Sequence, residues 1–258
     1  MKKIILVPSI IFFLIAFTGV MAQNRNDYKV GSSGVIVNVP DIAAEKSPAL
    51  EMIEIVHKRK AKPDNQGKPS NSPKQDSCYG FISGKARLIE SENIYINYSG
   101  SGMSEDAVLD AVASSTLTWD RETSIDIYGT IASDLTANFD YYADGKNEIS
   151  FGSYTDSNTI AVTRMWGYFS GKPTSRYITE FDILFNTNYT WGDAAANSLL
   201  MDFQNIATHE LGHTLGLDDI YTDSCSAVTM YGYSFEGDTE KRSLDVPDVM
   251  GLLELYGA

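Results

Sequence analysis

The strongest constraint on this chain is a stretch near its C-terminus, HELGHTLGLDD, which runs from His209 to Asp219. The residues just before it, 201–208, contain no Gly or Pro, so we expect one helix that continues through both histidines. Residues four apart share a helix face, and the imidazoles of His209 and His213 can therefore reach one metal ion. Glu210 stands beside the first histidine, where its carboxylate can take a proton from a water molecule at that metal.

The third protein ligand should be a carboxylate, because the chain contains only three histidines. The remaining one, His57, lies far upstream in a segment where we expect it to be solvated. Gly216 is a natural helix end, since glycine adopts a positive φ without a Cβ clash. The chain can then turn back and present Asp219 to the metal, with Asp218 as the competing ligand.

The spacing HExxHxxGxxD resembles the long zinc motif of the metzincin metalloproteases, in the variant with Asp in place of the third histidine. That variant is typical of snapalysin-like enzymes and some microbial matrixin-like enzymes. The segment VTMYGY at 228–233 resembles the metzincin Met-turn, which would carry Met230 beneath the metal. Residues 243–257 resemble the last helix of matrixins. The resemblance extends over residues 78–258, the predicted catalytic domain.

The resemblance implies an α+β fold, a metzincin-like zincin domain with a twisted mixed β-sheet, an active-site helix and a C-terminal helix. It implies a zinc metalloendopeptidase acting on proteins or peptides, with one catalytic zinc held by the two motif histidines and Asp219. Glu210 would be the general base, and Tyr231 and Tyr233 are candidate walls of the substrate pocket. Two alternatives are a non-catalytic secreted zinc-binding module of the same fold and a zincin of another clan with a distant acidic ligand, such as Glu236 or Glu240.

Local patterns predict one further helix and several strands in this domain. Ser104 is a good N-cap, and Val108, Val112, Ser115 and Trp119 recur at helical spacing, which predicts a helix over 104–120 that packs on a sheet. Predicted strands cover 94–98, 125–128, 148–151, 159–166 and 177–185. In the metzincin family an edge strand beside the cleft pairs with extended substrate. Residues 160–166 are the candidate for it, and a covered strand is the alternative.

The N-terminal residues have the composition of processing segments. Residues 1–22 combine two early lysines with an apolar run and small residues at the end, which predicts a secretory signal; an uncleaved anchor is the alternative. Residues 23–77 are predicted to be a propeptide, or else a plain extension. Within them, 28–57 are expected to form a strand and a short helix, and 58–76 a disordered linker rich in Pro and Lys. We expect a zymogen that is cut within this linker.

Charge and cysteine content limit the possible binding partners and the cellular location of the protein. The part from Cys78 onward has 9 basic and 27 acidic residues, a net charge of −18, which argues against nucleic acid and anionic membranes as partners. We expect a secreted, extracellular monomer without stable membrane association once the signal is removed. The two cysteines, Cys78 and Cys225, predict one disulfide. The rival is a cysteine switch, in which the Cys78 thiolate occupies the zinc, although the Pro-Arg-Cys-Gly context of matrixin switches is missing.

A second cation is a weaker expectation. Asp140, Asp144, Gly145 and Glu148 fall on plausible positions of a calcium loop, but Tyr142 and Phe151 replace oxygen ligands there. An Asp-Gly turn that opens a strand explains the segment without Ca²⁺.

Overall fold

The computed structural model describes residues 49–60 and 78–258, together with the backbone of two short strands at 29–30 and 34–38. The predicted signal at 1–22 and the linker from residue 61 to residue 76 lie outside the described residues. No helix in the described part of the chain is long and apolar enough to span a bilayer.

A mixed nine-stranded sheet forms the centre of the described molecule. Its strands follow the order β1, β2, β3, β7, β8, β6, β4, β5, and β11 pairs with β3 outside this path. These strands are β1 (Lys29–Val30), β2 (Gly34–Asn38), β3 (Glu51–Arg59), β4 (Glu92–Ile96), β5 (Tyr128–Ser133), β6 (Asn147–Gly152), β7 (Thr159–Tyr168), β8 (Tyr177–Asn186) and β11 (Tyr233–Ser234). A small parallel pair, β9 (Trp191–Gly192) and β10 (Met201–Asp202), precedes the second helix.

In the described residues three α-helices accompany the sheet: α1 (Glu105–Asp120), α2 (Phe203–Thr214) and α3 (Val246–Tyr256). Helix α1 begins where predicted, because the Ser104 hydroxyl accepts a hydrogen bond from the Ala107 amide. Its predicted apolar stripe is buried, and the Trp119 indole donates to the Thr208 carbonyl at 2.9 Å, which joins α1 to α2. The predicted α+β fold is confirmed.

One predicted strand is shifted along the chain. The prediction placed a strand at 125–128, but β5 begins only at Tyr128 and runs to Ser133. The residues after α1 are instead held as a turn, with the Thr123 hydroxyl accepting from the Ile125 amide and the Asp120 carboxylate from the Ile127 amide. Such side-chain hydrogen bonds compete with strand pairing, and Ile125 stays exposed.

The N-terminal extension differs most from its prediction. The short helix expected within 28–57 is absent from the described part of that segment, where residues 51–59 form one nine-residue strand, β3. The first two residues of the expected linker, Lys58 and Arg59, complete that strand. Strand β3 pairs antiparallel with β7 on one side and with β2 on the other. Residues 160–166 therefore lie inside the sheet between β3 and β8, rather than at an open edge.

The structure joins Cys78 and Cys225 in a disulfide, with Cα atoms 5.4 Å apart. The bridge ties the first described residue of the main domain to the loop that precedes Met230. Because both cysteines of the chain are in this bridge, the structure provides no thiolate for a cysteine switch.

Candidate metal centre and active site

Helix α2 presents the motif histidines and ends in a Schellman motif. The Gly216 amide donates to the His213 carbonyl at 2.8 Å, and the Leu217 amide donates to the Gly212 carbonyl at 3.1 Å. Gly216 has φ +102°, and a Cβ there would lie 2.1 Å from the Ala86 carbonyl oxygen. The chain can therefore reverse at this point only with glycine, and the reversal delivers Asp219 to the helix.

Three ligand atoms converge at this reversal. The Nε2 atoms of His209 and His213 are 3.1 Å apart, and Asp219 Oδ1 lies 3.2 Å from the first and 3.5 Å from the second. All three side chains are buried. In tetrahedral coordination with bonds of 2.0–2.1 Å, ligand atoms are separated by about 3.3–3.4 Å, so this triangle has the size that zinc requires.

Hydrogen bonds at the far side of each ring fix the histidine tautomers. The Nδ1 atom of His209 donates to the Thr229 carbonyl at 2.7 Å, and the Nδ1 atom of His213 donates to the Leu217 carbonyl at 2.9 Å. Carbonyl oxygens only accept, so in the neutral rings both Nε2 atoms carry lone pairs. Burial supports the neutral form, since it lowers the pKa of His209 to about 4.

The lone pairs that face one another need a cation between them. Asp219 Oδ1 accepts no hydrogen bond from the described residues, because the Nε2 atoms beside it have no proton to donate in these tautomers. Two imidazole nitrogens and a carboxylate oxygen, all desolvated, form a donor set suited to Zn²⁺. The residues present therefore fit a zinc ion.

The competing ligand, Asp218, points elsewhere. Its Oδ1 accepts from the Asp219 amide at 2.9 Å, which shapes the turn that carries Asp219. The other carboxylate oxygen of Asp219 accepts from the Tyr221 hydroxyl at 2.8 Å, so the side chain is held with Oδ1 toward the histidines. The structure favours Asp219 over Asp218 at the metal, and Tyr221 is a supporting residue that no sequence pattern identified.

Met230 lies under helix α2 as the Met-turn resemblance implied. It is buried, and its sulfur is so close to Gly212 that a Cβ on that glycine would lie 2.3 Å from it. The turn is fixed from below by Asp248, whose carboxylate accepts from the amides of Thr229 at 2.8 Å and Met230 at 3.1 Å. Because Thr229 also accepts from His209, Asp248 on α3 indirectly orients a candidate metal ligand.

Comparison with known proteins agrees with this geometry. The family model described as Matrixin matches residues 94–257, which include α1, the sheet core, α2, the Met-turn and α3. The chain belongs to the matrixin family, a family of zinc-dependent endopeptidases.

Two curated relatives of this matrixin match over shorter stretches. Metalloendoproteinase 1-MMP of Arabidopsis thaliana is 40% identical over 62 residues, which cover 24% of this chain and 16% of that protein. The hatching enzyme of Paracentrotus lividus is 31% identical over 110 residues, covering 43% of this chain and 17% of that protein. The matches thus span less than a fifth of either relative's length.

Glu210 has two hydrogen-bond partners among the residues that the structure describes, and neither was predicted. Its Oε2 accepts from the Thr163 hydroxyl of β7 at 2.6 Å, and its Oε1 accepts from Nδ1 of His57 at 3.0 Å. The expectation that His57 is solvated was wrong, because the residue lies on β3 and is fully buried beside His209. Nε2 of His57 in turn accepts from the Ser234 hydroxyl at 3.1 Å.

The candidate pocket walls lie together after the Met-turn. Tyr231 and Tyr233 line a cavity of about 410 Å³, and their rings are 5.7 Å apart. Buried Lys241 donates to the carbonyls of both tyrosines and so holds this wall segment in place. Burial lowers the pKa of Lys241 to about 8. A lone lysine in a polar stretch gave no sequence signal for this role.

A second carboxylate cluster lies away from α2. Carboxylate oxygens of Asp140, Glu148 and Asp182 all lie within 4.8 Å of one another, and Asp182 Oδ1 has no hydrogen-bond partner in the described part of the molecule. The two other predicted calcium positions, Asp144 and Gly145, instead donate their amides to the Glu180 carboxylate. The cluster shares two of the four predicted residues and gains Asp182 from β8.

Replacing Asp219 by alanine should abolish stoichiometric zinc binding, with affinity falling by more than about a hundredfold because an anionic ligand is lost from the metal itself. Asp218→Ala is the matched control, and it should retain one zinc per chain. Metal content after equilibration against a zinc buffer measures both variants. Loss of zinc in the Asp218 variant alone would reverse the ligand assignment.

Proposed function

We propose that this matrixin is a secreted endopeptidase that uses one zinc ion and Glu210 to hydrolyse peptide bonds. The observation that carries the proposal is a buried carboxylate beside the ligand triangle that is not needed as a ligand. A Glu210 oxygen lies within 4.8 Å of a His209 ring nitrogen, while the Asp219 oxygen completes the triangle on its own.

Zinc bound by the two histidines and Asp219 would supply Lewis-acid polarisation of the scissile carbonyl and of the attacking water. Glu210 then accepts a proton from that water as the carbon–oxygen bond forms, and passes it to the amine nitrogen as the carbon–nitrogen bond breaks. Burial raises the pKa of the Glu210 carboxyl to about 7, which suits a group that takes and returns a proton near neutral pH. Thr163 holds Oε2 of the carboxylate, and Oε1, which accepts from His57 in this structure, is the oxygen that would take the proton.

The alternatives receive less support. A non-catalytic module would have no use for a buried, positioned carboxylate beside the ligands. A zincin with a distant acidic ligand would need Glu236 or Glu240 at the metal, whereas Glu236 pairs with Arg59 at 2.9 Å and Glu240 is exposed.

Glu210→Gln should retain the fold and one bound zinc but lose peptide hydrolysis by about 10²–10⁴-fold, because an amide cannot accept the proton. Glu122→Gln, at an exposed position after α1 and outside the site, is the charge-matched control and should keep full activity. Turnover of a quenched-fluorescent peptide library, with zinc content measured in parallel, tests the assignment. Activity of the Glu210 variant within a few-fold of the parent chain would remove Glu210 as the base.

Export is the second part of the proposal. The apolar residues 1–22 predict export, and the disulfide between Cys78 and Cys225 suits an oxidising compartment.

The longest form of the protein recovered from the medium of a secreting host should begin at Gln23. Its mass should increase by two hydrogens on reduction of the disulfide. Intact-mass analysis measures both at once. Retention of residues 1–22 or two free thiols in that material would contradict export by this route.

We further propose that the carboxylates of Asp140, Glu148 and Asp182 bind a hard cation, best Ca²⁺. Glu148 and Asp182 are buried and Asp140 is half-buried, so their negative charges repel one another, and burial raises the pKa of Asp182 to about 8 when no cation is present. Millimolar CaCl₂ should therefore raise the melting temperature of the parent chain. Asp182→Asn should lose that response, while Asp193→Asn, an acid paired with Arg242, should keep it. An equal response in both variants would place calcium elsewhere.

A further inference from the structure

The position beside β7 is filled by the chain's own N-terminal segment. Strand β3 pairs with β7 antiparallel from Glu51 opposite Gly167 to His57 opposite Ala161. On its other side the end of β3 pairs parallel with β11, with Lys58 opposite Tyr233. The segment is thus held as an extended strand between β7 and the wall segment that follows the Met-turn, which is how a peptide adds to a sheet edge.

The same strand engages the reacting group. At His57 the regular pairing with β7 is interrupted by a register shift, and the imidazole points inward to bond Glu210 and Ser234. The ring lies against His209, with centroids 3.9 Å apart. A water molecule placed to give its proton to Glu210 would need the hydrogen-bond position that His57 holds.

Side chains along the strand bind groups on both sides of the cleft. Glu54 pairs with Arg164 of β7 at 2.6 Å. Beyond His57, Lys58 pairs with Asp156 at 2.6 Å and Arg59 with Glu236 at 2.9 Å. These contacts match opposite charges in register with the backbone pairing, so they fix one position of the strand relative to the metal site.

We propose that residues 49–60 are an inhibitory strand that fills the peptide-binding cleft and blocks Glu210 through His57. The inference rests on the proposed endopeptidase function, because the strand fills the peptide-binding cleft and blocks the general base that this function requires. It replaces the cysteine switch, since the chain's cysteines are in the disulfide, and it gives the predicted propeptide a defined contact with the site.

Cleavage in the linker is not enough to open the cleft. Residue 60 and Cys78 are the ends of the segment that joins β3 to the main domain, so a cut between them leaves β3 attached by non-covalent contacts alone. Ile53 and Ile55 are buried in the hydrophobic core, which stabilises the bound fragment. Latency should therefore end when the fragment dissociates, and activity of the nicked chain should rise on dilution, whereas the intact chain stays latent at any concentration.

The test uses the full chain with a recognition sequence for a specific protease inserted in the linker. Intact chain should hydrolyse a peptide substrate at least about tenfold more slowly than nicked, diluted chain, and a synthetic peptide of residues 49–60 should restore inhibition. His57→Ala in that peptide should weaken inhibition by roughly ten- to a hundredfold, because it removes a hydrogen bond to a carboxylate. Val56→Ala, which changes the neighbouring residue on the opposite strand face, should weaken it much less.

Hydrogen exchange in the Glu210→Gln chain provides a readout that does not depend on hydrolysis. The β7 amides should be protected in the intact chain, exchange faster after nicking and dilution, and regain protection with the 49–60 peptide. Equal activity of intact and nicked chains, unchanged β7 protection, or unfolding of the whole domain on loss of the fragment would overturn the inhibitory strand. Peptide-dependent protection without hydrolysis by any form would instead refute the endopeptidase function and leave the strand in place.

Discussion

The structure depends on one electrostatic problem: three desolvated lone pairs, from two imidazoles and a carboxylate, that face each other across about 3 Å. Such an arrangement is unfavourable without a cation at its centre. It is maintained because every ligand is fixed from behind, by the Thr229 and Leu217 carbonyls on the histidines and by the Tyr221 hydroxyl on Asp219. The surrounding elements of the fold place these carbonyl and hydroxyl groups behind the three ligands.

Those supports come from parts of the chain that are remote in sequence. Thr229 belongs to the turn fixed by Asp248 of α3, and the wall after that turn is held by Lys241. The disulfide from Cys78 reaches the same loop region through Cys225. The C-terminal third of the chain thus packs as one unit around helix α2, and the matrixin match extends through it to residue 257.

Sequence reasoning predicted the parts of the site that depend on local geometry. The four-residue spacing of the histidines, the Gly216 turn and the arrival of Asp219 follow from helix periodicity and from the backbone freedom of glycine. It did not identify Thr163, Asp248 or Lys241, because each acts through a contact with a residue distant in the chain. The β5 boundary was missed for a smaller reason: two side-chain hydrogen bonds after α1 hold a turn where apolar residues suggested a strand.

The burial of His57 also depends on contacts between residues that are distant in the chain. Its flanking sequence alternates apolar and charged residues and runs into a polar, lysine-rich stretch, so nothing local distinguishes a solvated histidine from a buried one. Only the pairing of β3 with β7 and β11 brings it to Glu210. Strand order, which a single sequence does not reveal, decided both the burial of this histidine and the covering of residues 160–166.

The measurement that most directly tests the account is zinc-edge X-ray absorption of the full, uncut chain loaded with one zinc. The account predicts two imidazole nitrogens at about 2.0–2.1 Å and carboxylate or water oxygens completing the shell, with His57 remaining on Glu210. A third imidazole at that distance would place His57 on the metal, and a sulfur scatterer at about 2.3 Å would place a cysteine there. Either result would contradict a site in which His209, His213 and Asp219 are the protein ligands and the remaining position is open to water.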